Sequence, residues 1–309
     1  RRAAKYLRAH PNKYDVVLDN QSIASGLLDI ARQGVPVIGV IHHPIRRDLD
    51  LALAAEPAWG IRWLKRRWYS FLSMQEHVAP RLSDVIVVSE SSGQDVAECL
   101  GVSAANISVI PLGIDQTVFK PQPQITREPL RLLTTASADV PLKGLKYLIE
   151  AYAQLLPAWP ALKLVVIGKL REGPTAEMLD DLGLAGRVEF VSDLTQQEVV
   201  EQYARATLCV TPSLYEGFGL PAAEAMSCGS PVVVTDGGAL PEVVGDAGVV
   251  VRKGDPEALA SAIGQLLKDP SRRAAMGQAA LARAAERFSW PRAAEAYEVV
   301  LRRAMARQC

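Results

Sequence analysis

Residues 207–229 read TLCVTPSLYEGFGLPAAEAMSCG, and they predict a strand, a glycine-rich turn and a helix. Residues 207–211 form a short apolar run rich in β-formers, and residues 221–228 are small and helix-prone and close on Gly229. Such a strand–turn–helix is the building unit of parallel α/β sheets. The turn also collects backbone N–H groups and the positive end of a helix dipole at one spot, where an anion is favoured. Gly217 and Gly219 let the main chain approach a ligand with no Cβ in the way, so Phe218, Gly219 and Leu220 can offer amides. Glu216 and Glu224 flank the turn eight positions apart. Carboxylates there can accept hydrogen bonds from vicinal hydroxyls. A diphosphate on the amides and hydroxyls on the glutamates describe a nucleotide sugar.

Outward from this turn the whole chain alternates strands and helices, the pattern of a parallel α/β fold. Strands are expected at 14–18, 35–41, 85–88 and 108–110, then at 130–134, 162–167, 187–191, 208–211, 231–234 and 249–251. Residues 120–129 (KPQPQITREP) carry three prolines and no apolar periodicity, so they read as an interdomain linker. The plainest helix starts at Asp255-Pro256-Glu257, a cap with proline in the first turn, puts Leu259, Ile263, Leu266 and Leu267 on one face, and stops at Pro270. A last helix is expected over 291–305.

The chain opens on Arg1-Arg2 inside a helical pattern, and its first strand follows at once. A parallel sheet normally needs helices over both faces, so a fragment is expected over a naturally reduced first domain.

With 309 residues and 49% hydrophobic content, two domains can each bury a core. Lys and Arg total 34 and Asp and Glu 34, so no global field draws nucleic acid. Cys99, Cys209, Cys228 and Cys309 show no CxxC spacing, and Cys209 lies in an apolar run, so a disulfide-free cytoplasmic protein is expected. No apolar run nears the ~20 residues of a membrane span. Of the four histidines His42 and His43 are adjacent and His10 and His77 lie far from them, with no clustered carboxylates, so no metal site is expected.

The pattern Glu216-x7-Glu224, followed by PVVVTDGG at 231–238 and LPEVV at 240–244, resembles the donor site of retaining glycosyltransferases of the two-Rossmann-domain (GT-B) fold. Residues 83–90 (SDVIVVSE), 107–119 (ISVIPLGIDQTVF), Lys143-Gly144, 164–168 (LVVIG) and 187–192 (RVEFVS) match in order and spacing. The likeness is to the group 1, family 4 type, which includes bacterial mannosyltransferases, and it runs from about Tyr14 to the end.

The resemblance implies an acceptor-side Rossmann-like domain over 1–122, incomplete at its start, and a donor domain over 123–288. It implies that residues 289–309 form a helix crossing back to the first domain. It implies a nucleoside-diphosphate sugar as donor, a carbohydrate or lipid-linked hydroxyl as acceptor, retention of configuration, and no cofactor or obligatory metal. Glu224 would hold the ribose, Glu216 would contact the donor sugar, and Lys143 would neutralise the diphosphate. An arginine common in the family would fall at Ser137 or Ala138. Neither is cationic, and Lys169 and Arg171, after Gly168 in the donor domain, are the candidates to compensate. Without compensation, a non-catalytic nucleotide-sugar-binding homologue, a sensor or partner subunit, is the alternative. No G-x-G-x-x-G of a nicotinamide enzyme occurs.

Two features stand apart. His42-His43-Pro44 follows the strand ending at Ile41, and a histidine there resembles a family residue near the donor sugar; His42 is favoured as first after the strand. Residues 59–71 (WGIRWLKRRWYSF) interleave Trp59, Trp63 and Trp68 with Arg62, Lys65, Arg66 and Arg67. Such a helix can rest on the inner face of an anionic membrane, pack its tryptophans on the domain, or bind an anionic acceptor.

Overall fold

The computed structural model describes residues 2–11, 13–54, 56–136 and 138–307. It divides into two units, Arg1–Leu112 with Pro291–Cys309, and Gly113–Trp290.

In the first unit β1 (Val17–Asn20), β2 (Val37–Ile41), β3 (Asp84–Val87) and β4 (Ile107–Val109) lie side by side in that order, all parallel. β2 and β3 are buried throughout, as strands covered on both faces must be. Side chains alternate between the faces. Ile38, Val40 and Ile86 pack with Ala293, Val300 and Ala304 of the helix Trp290–Ala306. Val37, Ile41, Val85 and Val87 pack with Leu27, Ile30, Val78 and Val96. The last helix is also tied electrostatically: Arg303 donates to Asp84 Oδ1 at 2.7 Å and Arg307 to Asp84 Oδ2 at 3.0 Å, on a buried carboxylate.

The second unit holds β5 (Arg131–Thr135), β6 (Lys163–Ile167), β7 (Val188–Val191), β8 (Leu208–Thr211), β9 (Val232–Thr235) and β10 (Val249–Val251). Their order is β10-β9-β8-β5-β6-β7, all parallel. The chain winds outward from β5 through β6 to β7, then returns to lay β8 on the other side of β5. That reversal between β5 and β8 is the switch point at which open α/β sheets bind ligands, outside the carboxyl ends of the strands. Leu132, Leu164, Val166, Leu208 and Val233 face the helices Leu145–Leu155 and Pro256–Lys268 through Leu148, Ile149, Tyr152, Leu259 and Ile263.

The proline-rich segment 120–129 belongs to the second unit and does not separate the two. Arg127 donates to Ala206 O at 2.6 Å and Gly229 O at 2.7 Å, and Glu128 N to Arg205 O at 2.9 Å. The chain divides instead at Leu112/Gly113. The helix before Pro270 stops at Lys268, as expected, but a new one begins at once: Asp269 caps the helix Pro270–Arg287 by accepting from Arg272 N at 2.8 Å. Proline is welcome in a first turn, where its missing N–H has no partner to lose.

Cys99, Cys209 and Cys228 are free, while Cys309 lies outside the described residues. Burial pushes the Cys209 thiol up to about 12 and the Cys228 thiol well up too, so both act as small apolar fillers. Among the described residues no helix is long and apolar enough to cross a membrane.

Candidate active site

Three loops meet at the carboxyl ends of β5, β8 and β9. Leu214 N donates to Leu142 O at 2.8 Å, joining the loop after β8 to the loop after β5. Ala239 N donates to Glu216 O at 2.9 Å, joining the loop after β9. Glycine permits this closeness. A Cβ at Gly144, whose φ is +62°, would run into the Pro212 carbonyl oxygen, and one at Gly238 into that of Glu216. The Thr235 hydroxyl donates to Ser213 O and completes the frame.

Inside it, the single turn Pro141–Lys143 delivers Lys143 Nζ to Glu216 Oε1 at 2.8 Å. Ser213 Oγ donates to the same oxygen at 2.7 Å. The Glu216 side chain is 12% exposed and that of Lys143 31%, so the pair is only partly screened. Among the described residues Glu216 Oε2 takes no hydrogen bond from the protein. Lys143 keeps two N–H donors beyond the one aimed at Glu216.

Glu224 stands in the second turn of the helix Leu220–Ser227, not in the first turn that the helix expected over 221–228 would give it, because the helix already starts at Leu220. The dipole therefore does not account for it. Its anchor is Tyr203, a buried residue of the helix Gln196–Arg205, whose hydroxyl donates to Glu224 Oε2 at 3.0 Å. Burial raises the Glu224 carboxyl, and the Tyr203 hydroxyl offsets part of that rise. The phenol itself is held well above its usual range by burial and by the adjacent carboxylate, so it stays a donor. Each glutamate is thus fixed through one oxygen, with the other left open to hydroxyls.

Gly219 caps the helix at φ +100°, and Phe218 is buried edge-on against Phe288 at 5.4 Å. Among the described residues the N–H groups of Phe218, Gly219 and Leu220 donate to no protein oxygen. Gly217 lies in the same turn and is partly buried. Gly168, after β6, leans on Ala136 of the β5 loop, where a Cβ would meet the Ala136 carbonyl oxygen. Lys169 and Arg171 follow it exposed, and neither bonds to Lys143, Glu216 or Glu224 among the described residues.

Ser137 lies outside the described residues. Ala138 is buried, and Asp139 beside it accepts from Thr175 N at 2.9 Å, so the loop is fixed with no cation there.

His42 lies in the first unit, at the carboxyl end of β2. Its Nε2 is 2.7 Å from Asn20 Oδ1, and its backbone N donates to Gln21 Oε1 at 2.6 Å. Burial, then neighbouring His43, lowers its pKa and keeps the ring neutral at physiological pH. His43 turns instead to Asp48, at 2.9 Å. Among the described residues no group of three His, Cys, Asp or Glu side chains could hold a metal ion. A groove of about 630 Å³ lined by Pro121, Arg127, Cys228 and Pro231 opens near the start of β9, at the far end of the sheet from the site.

Sequence reasoning had no hold on Tyr203, because nothing in a chain pattern pairs it with a glutamate 21 positions on. Ser213 was within reach as the serine three places before Glu216. Tyr203→Phe is expected to raise the Glu224 carboxyl further, because it removes the hydrogen bond that offsets part of the burial rise. The Glu224 carboxyl should then take up its proton at a higher pH than in the wild type. Carboxyl titration followed by NMR checks this, and an unchanged titration would show that Tyr203 does not govern Glu224.

Residues 118–283 match the family described as glycosyl transferases group 1, and residues 1–118 match glycosyltransferase family 4. An MMP alpha-(1->4)-mannosyltransferase of Mycolicibacterium hassiacum is 39% identical, over 99% of this chain and 74% of that protein. A D-inositol 3-phosphate glycosyltransferase of Thermobispora bispora is 29% identical, over 95% and 72%. Among solved structures, the sucrose-phosphate synthase of Thermosynechococcus elongatus has a TM-score of 0.79 at 22% identity, over 99% of this chain and 78% of that one. Anabaena Alr3699/HepE in complex with UDP has a TM-score of 0.76 at 21%, over 97% and 80%. At such identities the structures speak for the fold, which is GT-B.

Proposed function

The chain belongs to the group 1, family 4 glycosyltransferases, and from that premise we propose that it moves a sugar from a nucleoside diphosphate to a hydroxyl acceptor with retention at C1. The observation that carries the reading is the pair of glutamates, each pinned by one oxygen and open at the other, beside Lys143 and the amides of residues 218–220.

Glu224 takes the ribose hydroxyls and Glu216 the hydroxyls of the donor sugar. Lys143 and the amides meet the diphosphate. The bond from C1 to the phosphate oxygen breaks, its electron pair leaves with the diphosphate, the acceptor oxygen bonds to C1, and the acceptor proton passes to a phosphate oxygen. Charge grows on the leaving diphosphate, so preorganised donors there count for more than a strong base. The relative named above is a mannosyltransferase, so mannose is the first donor sugar to try and a mannoside the first acceptor.

The test is incubation with a panel of nucleoside diphosphate hexoses and simple glycosides, reading diphosphate release and the anomeric coupling of the product. One donor should give an α-linked product from an α-donor. Binding without transfer to any acceptor would sink the enzymatic reading, and an inverted product would sink retention.

A further inference from the structure

The helix Trp59–Trp68 is folded the wrong way round for a soluble protein. Two of its four cations, Arg62 and Lys65, face inward. Arg62 donates to Leu53 O at 2.7 Å and to Glu56 O at 3.2 Å, while Lys65 donates to Ala52 O and to Glu56 Oε2, both at 3.1 Å. These bonds hold it on the last carbonyls of the helix Ile45–Ala54, where cations satisfy free C=O groups. Its apolar residues face outward: Trp59 is 82% exposed, Trp68 80%, Leu64 57% and Trp63 54%, with Ile61 beside them. An ordinary surface helix does the opposite, and so many large apolar side chains exposed on one short helix mark a surface that something covers.

Charge says what covers it. No acidic residue occurs between Glu56 and Glu76. With Arg62 and Lys65 turned inward, Arg66 and Arg67 remain outside, and the Arg67 guanidinium lies 5.8 Å from the centre of the Trp63 ring. Since the chain has no net charge, this positive potential is local. A second copy docked face to face would set arginines against arginines. We propose that this face lies on an anionic lipid bilayer, with the indoles at headgroup depth and Arg66 and Arg67 on lipid phosphates. The acceptor chemistry of the active site is a separate matter.

The experiment is co-sedimentation of the full chain with vesicles of phosphatidylcholine alone or with one-third phosphatidylglycerol. Tryptophan emission is followed in parallel. Binding should need the anionic lipid, shift the emission to the blue and weaken with salt. Arg66→Glu/Arg67→Glu should weaken it by about tenfold or more, as two cation–lipid contacts require. Trp59→Ser/Trp63→Ser/Trp68→Ser should abolish the blue shift. All five side chains point outward, so circular dichroism and the thermal midpoint should stay put and confirm folded variants. Binding equally to both vesicles, binding to neither, or binding retained in both variants would overturn the proposal. So would a soluble dimer by light scattering that the tryptophan variant dissolves.

Discussion

Replacing Lys143 by alanine is expected to lower kcat for sugar transfer by ~10²–10³-fold, the loss seen when one preorganised donor to a developing charge is removed. KM for the donor should change much less. The cause lies in the geometry. Nζ sits 2.8 Å from Glu216, the side chain is 31% exposed, and the ammonium keeps two donors for the oxygens of the proposed diphosphate. The two positions where the family's second cation would fall are Ser137, outside the described residues, and the buried Ala138, and neither residue is cationic. In the proposed reaction Lys143 would therefore bear more of the leaving-group charge than it would beside an arginine. Its removal also leaves the Glu216 carboxylate with Ser213 alone. Steady-state kinetics of Lys143→Ala and Lys143→Met check this. A rise in KM at constant kcat would make Lys143 a ground-state binder instead.

Gly144→Ala should destabilise the second unit by ~2–5 kcal/mol. A left-handed residue with a Cβ costs about 1–2 kcal/mol, and forcing a methyl against packed neighbours typically adds about 1–3. Here the neighbour is the Pro212 carbonyl oxygen, which cannot rotate away as a side chain can. Gly183 supplies the control, with φ +64° and nothing within 4 Å of a built Cβ. Gly183→Ala should cost the conformational part alone, about 1–2 kcal/mol. Denaturant unfolding of both variants separates the two contributions. Equal losses would mean that the loops after β5 and β8 part easily.

Much of this was legible in the chain. Among the described residues ten strands lie at or near the ten expected places, though β1 runs over Val17–Asn20 rather than 14–18, and the turn at 212–220 carries Gly217, Gly219 and Glu216 in plain order. What stayed hidden depends on contacts between distant segments. The tie of Arg127 to Ala206 and Gly229 turns a proline-rich stretch into part of a domain. Tyr203 reaches Glu224 only once β8 has been laid beside β5. The helix boundary at Leu220 moved Glu224 out of the first turn, because the sequence marks a glycine well and a helix start only to within a residue or two. At 59–71 the pattern announced an amphipathic helix, but only the bonds of Arg62 and Lys65 show which side faces out.

The most direct test of the donor site is a thermal-shift panel of UDP, GDP, ADP and CDP against the wild type and Glu224→Ala. Ligand at a hundred times its dissociation constant adds ~2.7 kcal/mol of stability, or about 5–10 °C for a unit of this size. One nucleoside diphosphate should raise the wild-type midpoint by that much, and Glu224→Ala should lose most of the rise. No shift with any of the four, or an undiminished shift in Glu224→Ala, would contradict the assignment of the nucleotide to this site.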